Sequence, residues 1–386
     1  MWRNIASNFL TLLVVIVFLL GGAILWGQNQ YSSAGPLEEP ICLQVPRGSS
    51  MRGISENLAE QGAVSNGSIF RIGVDYADKT QLLKAGSWLI PEGSSMNEIA
   101  DIITRGGAST CGTEVVYRVG VNSAQAEVRE LDPSTNRFVE RVAFAVGEDV
   151  PADYTEVREQ ADTRYRVAVA EGVTSWQIVN ALNSIDALEG EVAEVPPEGS
   201  LAPDSYEFSS GDDRASVIQR MRDAQDAILA EIWEERDEGI PLTEPYEALI
   251  LASIIEKETG VAEERGQVAS VFTNRLRQGM RLQTDPTVIY GITNGEGVLG
   301  RGLRQSELRR ATPYNTYVIE GLPPTPIANP GRDSIEAAVK PLETDYIFFV
   351  AKTLNPRDGH LFAETLEEHN QNVAAYRALE RAQDDQ

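Results

Sequence analysis

The chain has little of what most catalytic and metal sites are built from: two cysteines and two histidines among 386 residues. It has no Cys ligand cluster, no glycine-rich phosphate loop of known spacing and no Gly-x-Ser-x-Gly elbow, which argues against zinc-cluster, dinucleotide and serine-hydrolase chemistry. Positive charge is scarce as well. Lys and Arg number 33 against 58 Asp and Glu, a net charge of −25, and no basic cluster offsets it. Nucleic-acid binding through phosphates is therefore not expected. His360 and His369 lie near Asp358, Glu364 and Glu368, but the spacing fits no ligand motif and Glu368 reads better as a helix-cap partner. No metal and no cofactor is expected.

What the chain does have begins with residues 9–26, FLTLLVVIVFLLGGAILW, eighteen residues without a charge. As a helix this run reaches about 27 Å, enough to span a thin bilayer. Arg3 precedes it, Glu38 and Glu39 follow it, and Trp2 and Trp26 stand at its ends, so the N-terminus is expected in the cytoplasm and the bulk outside. A cleaved signal peptide is the alternative, with Ser32, Ser33 and Ala34 as a marginal cleavage site. Cys42 and Cys111 both lie on the exported side, where they could pair; two buried free thiols are the other reading.

A short pattern recurs three times: VPRGSSMRGI from Val45, IPEGSSMNEI from Ile90 and VAEGVTSWQI from Val169. Each reads as a strand end, a turn at glycine, a Ser/Thr cap and a helix. Ser95 with Glu98 and Thr174 with Gln177 fit a capping box, whereas Ser50 faces Gly53. Such units make up small βααβ modules that bind sugar chains, although a capped strand-turn-helix also occurs widely. Residues 115–121 and 138–146 alternate like antiparallel strands, with a turn at Asp132, Pro133 and Ser134.

The most telling stretch is residues 248–260, ALILASIIEKETG, where an almost wholly apolar helix ends in glutamates. Glu256 follows the run directly, and Glu258 points about 200° away from it at the helical period. A carboxyl at the end of a buried helix is partly desolvated and keeps its proton more readily, as a general acid must. The alternative is a last-turn ion pair with Lys257 or Arg265. Downstream, Asp285 before Pro286 reads as a helix N-cap or else as a sugar-contacting carboxylate. Gln283, Tyr314, Asn315 and Thr316 could bind sugar or could serve loop structure. Residues 311–331 are too rich in proline and glycine for helix or central strand, and long ordered loops of this kind usually line a site.

Taken together, LASIIEKETG, VFTNRLRQGM, LQTDPTVIYGI, TPYNTYVIEGLPPTPIANPG, YIFFVAKTLNPRDGHLFAETLEEHN and LAPDSYEF resemble the YceG-like endolytic murein transglycosylases. The resemblance implies a single-pass inner-membrane protein with a periplasmic catalytic domain. It would cut nascent peptidoglycan strands internally, ending their elongation, in association with peptidoglycan synthases. It also implies that the E-K-E-T glutamate, Glu256, is catalytic. Two departures are Ala202 in place of an aromatic residue and a long segment from Thr113 to Thr163.

The implied mechanism needs one acid, which protonates the MurNAc–GlcNAc oxygen and then accepts the MurNAc C6 hydroxyl proton as a 1,6-anhydro ring forms. A hydrolase would need a second carboxylate, for which the sequence offers Asp285 or Glu258. A non-catalytic wall-binding scaffold is the remaining alternative. The expected fold class is α+β. Its parts are a cytoplasmic N-terminus (1–8), a transmembrane helix (9–26), a linker (27–40) and a LysM-like module (41–112). A β-rich insertion (113–168), a second LysM-like module (169–212), a mixed α+β catalytic domain (213–380) and a tail (381–386) follow.

Overall fold

The uncharged N-terminal run winds into a single helix, α1 (Trp2–Ser32). The structure is a computed structural model and describes residues 2–107, 109–158, 160 and 163–384. Leu10–Ser32, 23 residues, is long and apolar enough to cross a membrane. The helix outlasts the expected span because nothing from Gln28 to Ser32 breaks it; Gly35 and Pro36 do. The expected linker is also not a loose tether. Gly35 donates to the Gly93 carbonyl at 3.0 Å, Gly93 donates to that of Leu37 at 2.8 Å, and the Leu37 side chain is buried.

The chain divides into two units. The first comprises residues 1–115, 127–143 and 150–164, and the second 116–126, 144–149 and 165–386.

In the first unit, β1 (Ile41–Val45), α2 (Met51–Glu60), α3 (Gly67–Tyr76) and β2 (Gly86–Ile90) follow in strand-helix-helix-strand order, and α4 (Met96–Arg105) comes after β2. β1 and β2 pair antiparallel, with Leu43 opposite Trp88. Alternation sends Leu43, Val45, Trp88 and Ile90 into a core shared with Ile54, Leu58, Phe70, Val74, Ile99 and Ile103. Ser50 caps α2 through the Gly53 N–H alone, while Ser95 and Glu98 close a reciprocal box at α4. Cys42 and Cys111 are joined by a disulfide, their Cα atoms 5.9 Å apart.

Next come β3 (Thr113–Val119), β4 (Ala124–Asp132), β5 (Arg137–Ala145), α5 (Ala152–Arg158), β6 (Arg164–Val169), α6 (Ser175–Asn183) and β7 (Ser205–Phe208). One five-stranded sheet has the order β5-β4-β3-β6-β7. β6 pairs antiparallel with β7, Val167 opposite Tyr206, and is flanked on its other side by β3. The module expected over 169–212 differs from the first in having one helix, α6, between β6 and β7. Thr174 and Gln177 close the box at α6.

The rest of the second unit is mainly helical: α7 (Arg214–Glu234), α8 (Pro245–Glu258), α9 (Arg265–Arg277), α10 (Asp285–Thr293), α11 (Gln305–Leu308) and α12 (Arg332–Val339). A hairpin of β8 (Phe348–Ala351) and β9 (His360–Ala363) and a last helix, α13 (Leu366–Asp384), complete it. α13 continues into the tail expected to fray, whose last two residues lie outside the described ones.

α8 is the core of this unit. All residues from Ala248 to Ile255 are buried, against Val268 and Phe272 of α9, Ile335 and Ala338 of α12, and Ile327. The one polar residue of the run, Ser253, is satisfied: its Oγ donates to the Ile250 carbonyl at 2.7 Å and accepts the Ile327 N–H at 3.0 Å. That bond pins the proline-rich loop, which is irregular as expected, across α8. α12 then starts at the end of the loop.

Candidate functional site

The last turn of α8 carries Glu256, Lys257 and Glu258, and the helical period sends the two glutamates to different surroundings. Glu256 is half-buried rather than dry. Its Oε2 accepts the Gly331 N–H at 3.1 Å. Gly331 is the N-cap of α12, so the carboxyl meets the positive end of that helix. The ion-pair alternative takes another form here, because Arg265 reaches Asp333 at 3.3 Å and Glu171 at 3.9 Å. Lys257 Nζ donates to the Gly172 carbonyl at 3.1 Å.

Glu171 was not singled out from the sequence. It occupies the turn of the third repeat, between β6 and α6, where Gly172 takes a φ of +77°. That turn is held from two sides, by Lys257 and by the Gly172 N–H on the Asn329 carbonyl at 2.9 Å. Its carboxyl lies where a side chain of Gly331 would begin: a Cβ there would stand 1.8 Å from Glu171 Oε1. Two carboxyls therefore converge on one glycine. Burial and then the charge of Glu256 push the Glu171 pKa up, with Arg265 acting against them and Asp333 with them. Burial pulls the Lys257 pKa down, against the attraction of Glu256 and Glu198.

Asn329, fully buried, ties this neighbourhood together. Its Nδ2 donates to the Val173 carbonyl at 3.0 Å and to Glu198 Oε1 at 3.3 Å, and its Oδ1 accepts the Leu201 N–H at 2.9 Å. Glu198 also accepts from Ser175 N at 2.8 Å and Tyr290 Oη at 3.3 Å. Burial raises its pKa and those bonds oppose the rise.

Glu258 lies in a second cluster. Thr284 Oγ1 donates to its Oε1. Desolvation and then the neighbouring Asp285 push its pKa up to about 6, against Thr284, His360 and Arg275. Asp285 is the first residue of α10 and not its cap, which is Thr284; its Oδ1 accepts from Tyr317 Oη at 2.7 Å. Gln283 is exposed, with a left-handed φ of +50°, and its N–H donates to the Thr316 carbonyl at 3.1 Å.

Asn315 and Thr316 are fully buried and bonded within the fold. Asn315 Nδ2 donates to the carbonyls of Glu307, Leu308 and Arg310, and Thr316 Oγ1 accepts the Thr284 N–H at 3.0 Å. Tyr314 is half-buried, its ring 5.0 Å from that of Tyr290 and its hydroxyl 2.8 Å from Thr325 Oγ1. Through Thr284, then, Asp285 and Thr316 lie in the neighbourhood of Glu258, whereas the Gln283 side chain is exposed. The two carboxylates offered by sequence as a second group, Asp285 and Glu258, lie together, while Glu171 is the one beside Glu256.

His360 Nδ1 pairs with Glu264 Oε1 at 2.6 Å, and the His369 ring stacks 4.9 Å from Phe348. Glu368 donates its N–H to Thr365 Oγ1 at 3.2 Å, while its carboxyl accepts from Glu364 N at 3.3 Å, one residue before the expected partner. Among the described residues no three His, Cys, Asp or Glu side chains are grouped to hold a metal. A surface hollow lined by Leu354, Arg377, Glu380, Arg381 and Gln383 contains none of the residues named for chemistry.

Fold and site define an α+β protein in which a buried helix delivers a carboxyl to the start of a second helix, beside another carboxyl. Residues 144–375 match the YceG-like family, and the chain belongs to it. It is 28% identical over 363 residues to the endolytic murein transglycosylase of Bacillus subtilis (strain 168), covering 93% of this chain and 91% of that protein. It is 25% identical over 391 residues to the endolytic murein transglycosylase of Streptococcus pneumoniae serotype 2 (strain D39 / NCTC 7466), covering 97% of this chain and 66% of that protein. A crystal structure of a YceG-like protein from Listeria monocytogenes is 27% identical, covers 86% of this chain and 98% of its own, and superposes with a TM-score of 0.46.

Proposed function

We propose that this protein is a membrane-anchored lytic transglycosylase that cuts peptidoglycan strands internally, with Glu256 as its acid and base. The observation that carries the reading is the setting of Glu256. Gly331, the N-cap of α12, holds Oε2 and so fixes the carboxyl at the end of α8. Family membership and the name shared by the relatives point to the same chemistry.

In this reading Glu256 gives its proton to the glycosidic oxygen, the MurNAc C1–O bond breaks, and its electron pair leaves with the GlcNAc oxygen. The MurNAc C6 hydroxyl then adds to C1 and its proton passes to the Glu256 carboxylate, closing the 1,6-anhydro ring. The acid is regenerated and no water is consumed. The hydrolase alternative has gained a candidate second carboxylate in Glu171, but its position does not favour that route. A hydrolase sets its carboxyls on either side of the bond to be cut. Glu171 and Glu256 converge on Gly331 instead.

α1 serves as a single-pass anchor in the inner membrane, with the bulk of the chain on the exported side. The strand-helix-helix-strand order of the first unit supports a LysM-like role in holding glycan. Gln283, Asp285 and Tyr314 offer further polar and ring contacts to the sugar chain, while Asn315 and Thr316 hold the loop that carries them. Docking to peptidoglycan synthases belongs to the same reading.

The test is product analysis by mass spectrometry after incubation of the full chain with isolated sacculi. Anhydro ends are expected, and products carrying added water would mean a hydrolase. Glu256→Gln should fold normally and release nothing, since the amide keeps the shape and cannot cycle a proton. Wild-type release by that variant would remove Glu256 from the mechanism, and binding without release by the unmutated chain would mean a scaffold.

A further inference from the structure

Glu171 is a carboxyl beside Glu256 that the mechanism above leaves idle, and its placement is not accidental to the fold. Its turn is tied to α8 by Lys257 and to the loop before α12 by Asn329. Its carboxyl fills the space left by the missing side chain of Gly331, the residue whose N–H holds Glu256. Resting on the function proposed above, we infer that Glu171 is a positioning residue for Glu256. The charge of Glu171, set beside Glu256 at Gly331, repels the Glu256 carboxylate and favours its taking back the C6 hydroxyl proton.

The physical argument is repulsion between like charges. Two neighbouring carboxylates resist being ionised together. When Glu256 donates to the leaving oxygen, both groups become anionic at once. That state is relieved when Glu256 accepts the proton from O6, the step that closes the ring. A single residue must be a competent acid and then a competent base, and an adjacent negative charge strengthens the second role while keeping the proton in place for the first.

The charged groups facing the pair fit this. Arg265 on α9 divides its guanidinium between Glu171 and Asp333, while Lys257 on α8 is turned to the Gly172 carbonyl. Arg332, next to the shared glycine, is committed to Glu231 on α7 at 2.5 Å. Desolvation and Glu256 together raise the pKa of Glu171, and Asp333 adds to the rise.

Two measurements test the inference. The first is the pH profile of anhydro-end release by the full chain. In Glu171→Gln the neighbouring charge is gone, and the alkaline limb should move to lower pH by about one unit, roughly a tenfold loss above it. Glu171→Asp should recover part of the shift. The second measurement needs no activity: infrared titration of protein carrying 13C-labelled glutamate carboxyls. The wild type should show a carboxyl that titrates above the ordinary range and is lost in both Glu171→Gln and Glu256→Gln, while the signals of Glu258 and Glu198 remain.

An unmoved alkaline limb in Glu171→Gln, or a uniform loss at every pH, would overturn the inference. So would a signal that survives in either variant. Should the wild type make no anhydro ends, the transglycosylase reading falls, and the infrared titration still decides whether the charge of one carboxyl acts on the other.

Discussion

Gly331 donates its backbone N–H to Glu256 Oε2 at 3.1 Å, and the place where its side chain would begin is taken by the carboxyl of Glu171. Gly331 has an ordinary φ of −73°, so the backbone would accept any residue. What requires glycine is the second carboxyl.

Gly331→Ala is therefore expected to keep the N–H bond to Glu256 and to push Glu171 aside. The displaced group is the flexible end of a side chain, so the unfolding temperature should stay as in the wild type. Cleavage of sacculi should fall on the alkaline side by up to roughly tenfold, in the direction expected of Glu171→Gln. A wild-type rate would mean that the contact carries no chemistry.

Asn329→Ala should act on stability. The substitution leaves the fully buried Leu201 N–H without its acceptor and the half-buried Glu198 without one of its donors. Each unsatisfied buried group costs about 1–3 kcal/mol, so a loss of about 3 kcal/mol is expected in urea unfolding. Asn329→Asp should be worse, since it sets a second acidic group beside Glu198. A change below about 0.5 kcal/mol in the alanine variant would show that water replaces the amide at little cost.

How much of this was readable beforehand depends on the range of the interactions. α8 announced itself through eight consecutive positions buried on every side, and the capped helices through residues three apart. These are local signals. The partners of Glu256 are not local: Gly331 lies 75 residues away. Glu171 carried one faint mark, its place before the glycine of a thrice-repeated turn, but a repeat read for strands and caps gives no reason to look at its turn residue. α12 is only eight residues long, follows Pro330 and Gly331, and is rich in alanine, so its apolar period is too short to stand out. Asp285 was misplaced by one position, because a proline at the second helical residue leaves the capping role to the Thr284 before it. The one-sheet arrangement of β3 to β7 was hidden for the same reason as Glu171: strand pairing across helices leaves no trace in spacing.

The Cys42–Cys111 bond joins residues 69 apart and closes the strand-helix-helix-strand segment of the first unit into a loop. In the chain-entropy view a loop of this size contributes about 4 kcal/mol through the unfolded state. Cys42→Ser with Cys111→Ser should lower the unfolding temperature of the full chain in calorimetry. Equal transitions for the double variant and the oxidised wild type would mean that strain or residual structure cancels the constraint.

Glu258 should make stability depend on pH in the direction opposite to a paired carboxylate. Its folded pKa is raised to about 6, chiefly by desolvation and next by Asp285, from an ordinary value of 4.5. The folded state therefore binds the proton more tightly than the unfolded chain does, so the contribution is full below about pH 4.5 and is lost as pH rises through about 6. A shift of this size corresponds to about 2 kcal/mol at most. Glu258→Gln has no charge to bury and can still accept the Thr284 hydroxyl through its amide oxygen. It should be more stable than the wild type by about that amount at pH 8 and no more stable at pH 4.5, measured by urea unfolding at the two values. A variant less stable at both would show that the Glu258 carboxylate is held by Arg275 and His360 more strongly than desolvation opposes it.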